Sequence, residues 1–296
     1  METKRKNKKG QTLEEFLESY KPGNYEKPSL TVDMLLFTVV DKFNENKKKV
    51  PSKELKIMLV KRKNHPFIGQ WAIPGGFVDI NESVEEAVYR ELKEETNIEN
   101  VYLEQLYLFG DVDRDPRMRV VSSSYMALVS HRNLNPIAGD DAEDVMWFTV
   151  QIENEEEGKQ LLILQGDDEK TVLSYTIKTV FEEKGILNRK KIIINPVYED
   201  LDTQIAFDHI KIINMALERM RNKIEYTPIA FTLVDEYFTL TELQKVYEVI
   251  LGKELRKSNF RKKIASMVIE TEKKWNEGGY RPPKLYKFNR EWTHEF

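Results

Sequence analysis

Glu91, Glu94 and Glu95 fall at i, i+3 and i+4 within GFVDINESVEEAVYRELKEETNI, residues 76–98. On a helix this spacing gathers three carboxylates on one face within a single turn. Like charges so close repel one another unless a cation sits among them. Hard oxygen donors of this kind suit Mg²⁺ or Mn²⁺, and Mg²⁺ commonly bridges a few carboxylates to substrate phosphates. A glutamate-rich solvated helix is the commoner meaning of such a run, but these glutamates come in company. Gly75 and Gly76 let the backbone approach closely, Glu82 stands six residues after Gly76, and Arg90 directly precedes Glu91. Six prescribed polar or glycine positions coincide by chance in on the order of one window in ten million. Ser83 and Glu86 have capping-box spacing, so the helix is expected to begin near Val84.

The elements that position this helix are legible on both sides. LTVDMLLFTVV (30–40) and LKIMLVKRK (55–63) read as apolar strands joined by a lysine-rich, solvated loop. FIGQWAIPGGF then leads into the carboxylate helix, with Trp71 and Pro74 shaping the turn, which gives an α/β layered core. NVYLEQLYLFG (100–110) and VVSSSYMALVS (120–130) alternate as strands around the charge cluster DVDRDPRMR (111–119). That cluster could be a surface turn with internal salt bridges; beside a phosphate-handling helix, Arg114, Arg117 and Arg119 offer bidentate anion contacts. AGDDAEDVMWFTV (138–150) is an acidic loop running into a strand. KQLLILQ and TVLSYTIKTVFEE read as a hairpin about GDDE, with KIIINPV as one further strand, an added β element (151–200) for dimerisation or for covering a substrate. AFDHIKIINMALERMRNKI (206–224) has helical apolar spacing and closes the first domain. His209 there reads as a packing or hydrogen-bonding histidine, since no second histidine lies near.

A chain of 296 residues with 40% hydrophobic content can hold two domains with real cores. No apolar run approaches the ~20 residues of a membrane span, and no signal-peptide pattern opens the chain, whose basic start reads as a tail before the short helical candidate TLEEFLESY. The absence of cysteine removes disulfides, zinc–thiolate sites and cysteine nucleophiles, and agrees with a reducing cytoplasm. Four scattered histidines argue against a histidine-rich metal site. Net charge is −4, yet Gly252–Arg290 holds twelve Lys and Arg against four Glu, so an acidic body carries a basic end that calls for an anionic partner.

From Glu225 the text changes. Thr239–Glu242 opens a helix ending at Gly252, a second helix follows with Asn259, Arg261, Lys262 and Lys263 at its front, and WNEGGYRPPKLYKF is a basic hairpin bearing Arg281 and Lys284. Helix, turn, basic helix, basic hairpin is the layout of a winged helix-turn-helix, which implies double-stranded DNA and a symmetric homodimer on a palindromic site. The competing reading is a small helical dimerisation domain with a solvated basic face.

The 76–98 segment resembles the Nudix signature of pyrophosphate hydrolases. One position departs: the late glycine of the family is Asn97, the residue next best able to adopt a left-handed conformation at a helix end. GDVDRDPRMRVVSSSY is similar to the corresponding segment of ADP-ribose pyrophosphatases and of Nudix-related regulators of NAD metabolism. LTELQ, VYE, ILG, NFRKK and RPPKLY resemble the C-terminal domain of those regulators. The resemblance implies a Nudix α/β/α sandwich (30–224) carrying the added β element, then a winged helix domain (225–296), after a lead-in of residues 1–29. It further implies that Glu91, Glu94, Glu95 and the Gly75 carbonyl hold Mg²⁺, that Glu82 pairs with Arg90, and that a carboxylate of the 138–150 loop serves the attacking water. Asp141, Glu143 and Asp144 are all candidates for that last role, and Glu143 is carried forward. Two functions follow: a hydrolase cleaving ADP-ribose or a related nucleoside diphosphate derivative to AMP and a sugar phosphate, or an ADP-ribose-sensing transcriptional regulator. The intact glutamates favour catalysis, with DNA binding in addition.

Overall fold

Strand β1 (Ser29–Asp41) is apolar at most of its positions and is covered on both faces. Leu35, Phe37 and Val39 enter one core, while Val32, Met34 and Leu36 enter the other, as the two-residue period of a strand requires. The computed structural model describes the chain apart from residues 1–4, 22, 24–25, 43–50, 97–100, 102, 130–141, 156–157, 185, 201–202, 275–282 and 294–296. Arg281, Asn97, Asp141 and most of the lysine-rich 41–54 loop therefore lie outside the described residues.

Beside β1 run β2 (Lys53–Arg62), antiparallel, and β6 (Val120–Leu128), parallel. Short strands β3 (Trp71–Ala72) and β4 (Gly75–Phe77) pair with β2 and β1, and β5 (Glu104–Phe109) closes one edge. On the other side β2 pairs with β7 (Ala142–Asn154), followed by β8 (Lys159–Gly166), β9 (Val172–Lys184) and β10 (Leu187–Pro196). The hairpin and the further strand expected for 151–200 thus form. They do not make a separate layer; they widen the main sheet antiparallel to the order β10-β9-β8-β7-β2-β1-β6-β5.

Helix α2 (Val84–Thr96) covers one face, inserting Ala87, Val88 and Leu92 among Met34, Met58 and Trp147. Its start is fixed by the reciprocal bonds of Ser83 and Glu86. Helix α3 (His209–Lys223) covers the opposite face together with the C-terminal domain. That domain comprises a 3-10 helix (Pro228–Leu233), α4 (Leu240–Leu251), α5 (Lys257–Ile264) and a two-stranded sheet of β11 (Val268–Lys274) and β12 (Lys284–Phe288). Thr239 and Glu242 cap α4, and Gly252 ends it at φ 65°, a left-handed conformation that suits glycine. Leu243, Val246, Tyr247 and Ile250 of α4 share one apolar cluster with Leu35, Phe37 and Leu59 of the sheet and Ile213 and Leu217 of α3. The two domains are therefore joined by a continuous core rather than tethered by a linker.

The N-terminal helix α1 (Leu13–Ser19) is capped by Thr12 and Glu15 yet buries none of its residues. Among the described residues no helix is long and apolar enough to cross a membrane.

Candidate ligand pocket and nucleic-acid interface

The Gly75–Gly76 turn is pressed onto α2. The Gly75 N–H donates to Glu95 Oε2 at 2.7 Å, and a Cβ built on Gly76 would stand 2.1 Å from Glu91 Oε1. A side chain at 76 would displace that carboxylate from where it lies. Arg90 then ties the loop to the helix: its Nε and Nη2 donate to the two Glu82 oxygens at 3.0 and 2.6 Å, and Nη2 also donates to the Phe77 carbonyl at 3.1 Å. Its Nη1 donates to Glu91 at 2.8 Å and to Glu94 at 3.1 Å. These hydrogen bonds hold the Glu82 carboxyl at about 2. Burial pushes the Glu91 carboxyl above its ordinary value despite Arg90.

Glu91, Glu95 and Arg90 line a cavity of about 430 Å³ that Arg114, Asp115, Arg117, Phe207 and His209 also line. Of the three arginines predicted to grip an anion, Arg114 is buried and bidentate to Asp208, at 2.9 and 3.2 Å, with Asp33 3.7 Å away. Arg117 is partly exposed; it is held by Asp115 at 2.8 Å and lies over the Phe77 ring at 5.4 Å. Burial pulls the Asp115 carboxyl upward, but the hydrogen bonds from Arg117 outweigh this and leave it lowered. Arg119 braces the 111–119 loop instead, donating to the Gly110 and Asp111 carbonyls at 2.8 and 2.9 Å, away from the cavity wall. The loop is thus both an internally bridged turn and, through Arg114 and Arg117, part of the pocket.

Glu94 points outward to Arg90 and Glu143 is an exposed β7 residue 3.9 Å from Lys61 Nζ; neither lines the cavity. Asp144 sits opposite Lys61 in the β2–β7 register. Among the described residues no three carboxylate or imidazole groups converge closely enough to hold an ion as they stand.

Several pocket residues escaped the sequence reading. Asp33 is buried in β1, accepts from Ser122 and Ser124 at 2.5 and 3.2 Å, and lies 3.7 Å from His209 Nε2. Its signal was an acid set among the apolar residues of LTVDMLLFTVV, with Ser122 and Ser124 of the SSS run as its donors. His209, read from the sequence as a packing or hydrogen-bonding histidine, accepts the Ile73 N–H at Nδ1, 3.0 Å away; what the sequence did not show is its place in the pocket. That bond places its proton on Nε2, and burial lowers its pKa against the pull of Asp33 and Asp208. Arg62 lies over the Phe207 ring at 4.9 Å, forming an aromatic and cationic rim.

In the C-terminal domain, α5 buries Phe260 and Ile264 and exposes Asn259, Arg261, Lys262 and Lys263. Lys263 pairs with Glu225, and Lys284 of β12 pairs with Glu270 at 2.6 Å.

A Nudix-type mixed sheet covered by helices on both faces and bearing a carboxylate-lined pocket, packed against a winged helix, defines a two-domain class. A family model described as the NUDIX domain matches residues 36–163, and one described as the NrtR DNA-binding winged helix domain matches residues 230–288. The chain is 31% identical over 276 residues to the ADPR responsive transcriptional repressor NtrR of Acinetobacter baylyi, spanning 92% of this chain and 87% of that protein. It is 47% identical over 96 residues to the ADP-ribose pyrophosphatase of Methanocaldococcus jannaschii, spanning 32% of this chain and 56% of that protein. The crystal structure of Shewanella oneidensis NrtR complexed with a 27mer DNA matches at TM-score 0.56 and 32% identity, covering 88% of this chain and 93% of that one. The chain belongs to the NrtR family, in which a Nudix domain is joined to a DNA-binding winged helix.

Proposed function

We propose that this chain is a DNA-binding transcriptional regulator whose Nudix domain binds ADP-ribose, or a closely related nucleoside diphosphate derivative, and thereby tunes DNA affinity. The observation that carries this reading is the similarity to an ADPR responsive repressor over nearly the whole chain, winged helix included. It moves the weight from catalysis, which the intact glutamates alone favour, onto regulation. The pocket supports the ligand class: Arg114 and Arg117 offer positive charge for a pyrophosphate, and the Phe207–Arg62 rim offers a face for a base or ribose. The exposed α5 cations and the basic hairpin face DNA, and a symmetric homodimer on a palindrome supplies enough contacts for useful affinity. The reading divides the chain near residues 224 and 225 and places the protein in the cytoplasm.

A second reading, hydrolysis to AMP and a sugar phosphate, is favoured by the complete carboxylate set and by similarity to an ADP-ribose pyrophosphatase. The donor set fits Mg²⁺ or Mn²⁺ chemically, since Glu91 and Glu95 are hard oxygen donors on the cavity wall and Arg90 is the cation bonded to Glu91. Glu91 and Glu95 with the Gly75 carbonyl would hold the ion, joined by Glu94 only if it turns in from Arg90; when bound, the ion stabilises charge on a pyrophosphate and activates water. Arg90 and Glu82 hold the loop in place.

The test is DNA binding to regions upstream of NAD-biosynthesis genes, with and without ADP-ribose, alongside AMP formation with and without Mg²⁺. Ligand-dependent DNA binding is expected. DNA binding indifferent to ADP-ribose, together with rapid AMP formation, would leave the hydrolase alone.

A further inference from the structure

Helix α3 touches the pocket at one end and the winged helix at the other. At its start, Asp208 holds the pocket arginine Arg114, His209 accepts from Ile73 beside the Gly75 turn, and Lys211 pairs with Asp111 of the pocket loop at 3.1 Å. At its end, Arg221 Nε donates to the Ile250 carbonyl at 3.2 Å, where α4 finishes. Just beyond, Glu225 pairs with Lys263 on α5 and lies 4.0 Å from Lys253 in the α4–α5 turn. The fifteen residues of α3 carry both sets of contacts with no break, about 22 Å of helix. Between them Ile213, Ala216, Leu217 and Met220 are sealed into the shared core, so the rod moves as a body or not at all.

The junction at the far end is polar and incompletely satisfied. Tyr247 is buried against Phe260, its hydroxyl has no hydrogen-bond partner among the described residues, and Lys263 lies 5.8 Å over its ring. A buried unpaired hydroxyl beside an ion pair marks a place where a second arrangement costs little extra.

We propose that α3 is the mechanical link of the regulator: a ligand that engages Arg114 shifts the Asp208 end, and the Glu225 end changes how α5 presents Lys263 and its neighbours to DNA. Exposed ion pairs are individually weak, so the stiffness comes from the apolar packing, while Glu225 makes the far end specific to the DNA-facing helix. The inference rests on the regulator reading and gives its two sites a physical connection. Coupling between sites is reciprocal, so DNA alters ligand affinity by the same factor.

The experiment compares the intact protein with Glu225→Gln and Asp208→Asn, measuring DNA affinity with and without ADP-ribose and amide hydrogen exchange without ligand. In the unmodified protein ADP-ribose changes DNA affinity by about 10-fold or more, within the usual range of such coupling. In Glu225→Gln, ligand binding stays within about 2-fold of normal while the coupling falls to about 3-fold or less. In ligand-free Asp208→Asn, amides of 250–264 exchange faster although the substitution lies at the other end of the rod. Full coupling in Glu225→Gln, or unaltered exchange across 250–264 in a folded Asp208→Asn, overturns the link. An unmodified protein whose DNA affinity ignores ADP-ribose sinks the regulator reading itself, and the exchange result then decides the link alone.

Discussion

The Glu91 carboxylate occupies the space that a side chain on Gly76 would fill: a Cβ there would stand 2.1 Å from Oε1. The signature's glycine and the first glutamate of its REL-EE run, Glu91, are therefore one steric unit. Gly76→Ala forces the carboxylate aside or the turn off the helix. It is expected to weaken Mn²⁺ binding by about 10- to 100-fold, the range seen when a ligand's support is removed, with the fold retained. Titration calorimetry with Mn²⁺ and far-UV circular dichroism check both halves; unaltered affinity counts against the assignment of Glu91.

Glu82 and Arg90 give a pH signature. The Glu82 carboxyl ordinarily titrates at 4.5 and is held at about 2 by Arg90. A depressed folded-state value adds stability that is fully present above about 4.5, shrinks as pH falls from there, and is gone below about 2. The stability gap between the unmodified protein and Glu82→Gln should be constant from pH 7 to 5 and should close between pH 4.5 and 2. Urea unfolding across that range is the measurement, and a gap that persists at pH 2 contradicts the pairing.

Arg114 and Arg117 both offer charge to the ligand, but only Arg114 should also carry stability. Arg114 and Asp208 are buried together, so Arg114→Leu leaves an unpaired buried carboxylate and should cost about 3–5 kcal/mol in urea unfolding. Arg117 is partly exposed, so Arg117→Ala should leave stability within about 1 kcal/mol. ADP-ribose affinity should nevertheless drop by about 1.5–3 kcal/mol for the lost charge-assisted bond. An Arg117→Ala that loses stability yet keeps its ADP-ribose affinity in calorimetry would remove Arg117 from the ligand contact.

DNA binding should weaken steeply with salt. Lys262→Ala should lower the slope of log affinity against log salt by about 0.9, the release of one counterion. Lys263→Ala should lower it less if its pair with Glu225 persists in the complex. Arg261→Ala should relax sequence preference by about 1–3 kcal/mol if that side chain reads a guanine edge. Equal slopes for all variants would remove α5 from the DNA interface.

Local chemistry was open to reading from the residues alone. The capping pairs Ser83–Glu86 and Thr239–Glu242, the left-handed stop at Gly252 and the one-turn grouping of Glu91, Glu94 and Glu95 depend on neighbours within a few positions, so the sequence determined them. The apolar run of β1 marked it as a strand, though its burial on both faces was shown only by the packing. What the tertiary structure decided were relations between distant segments. Asp33 meets Ser122, Arg114 and His209 only because β1 lies parallel to β6 beneath the start of α3. The three predicted anion-binding arginines took three different jobs because each side chain answers to whichever carboxylate or carbonyl the fold brings near it. The strands of 151–200 joined the main sheet because β7 otherwise left an unpaired edge. The winged helix fused to the pocket domain because α4 presents an apolar face and the sheet has one to cover. Spacing along the chain encodes which groups share a helical turn; it holds no record of which groups the packing will bring face to face.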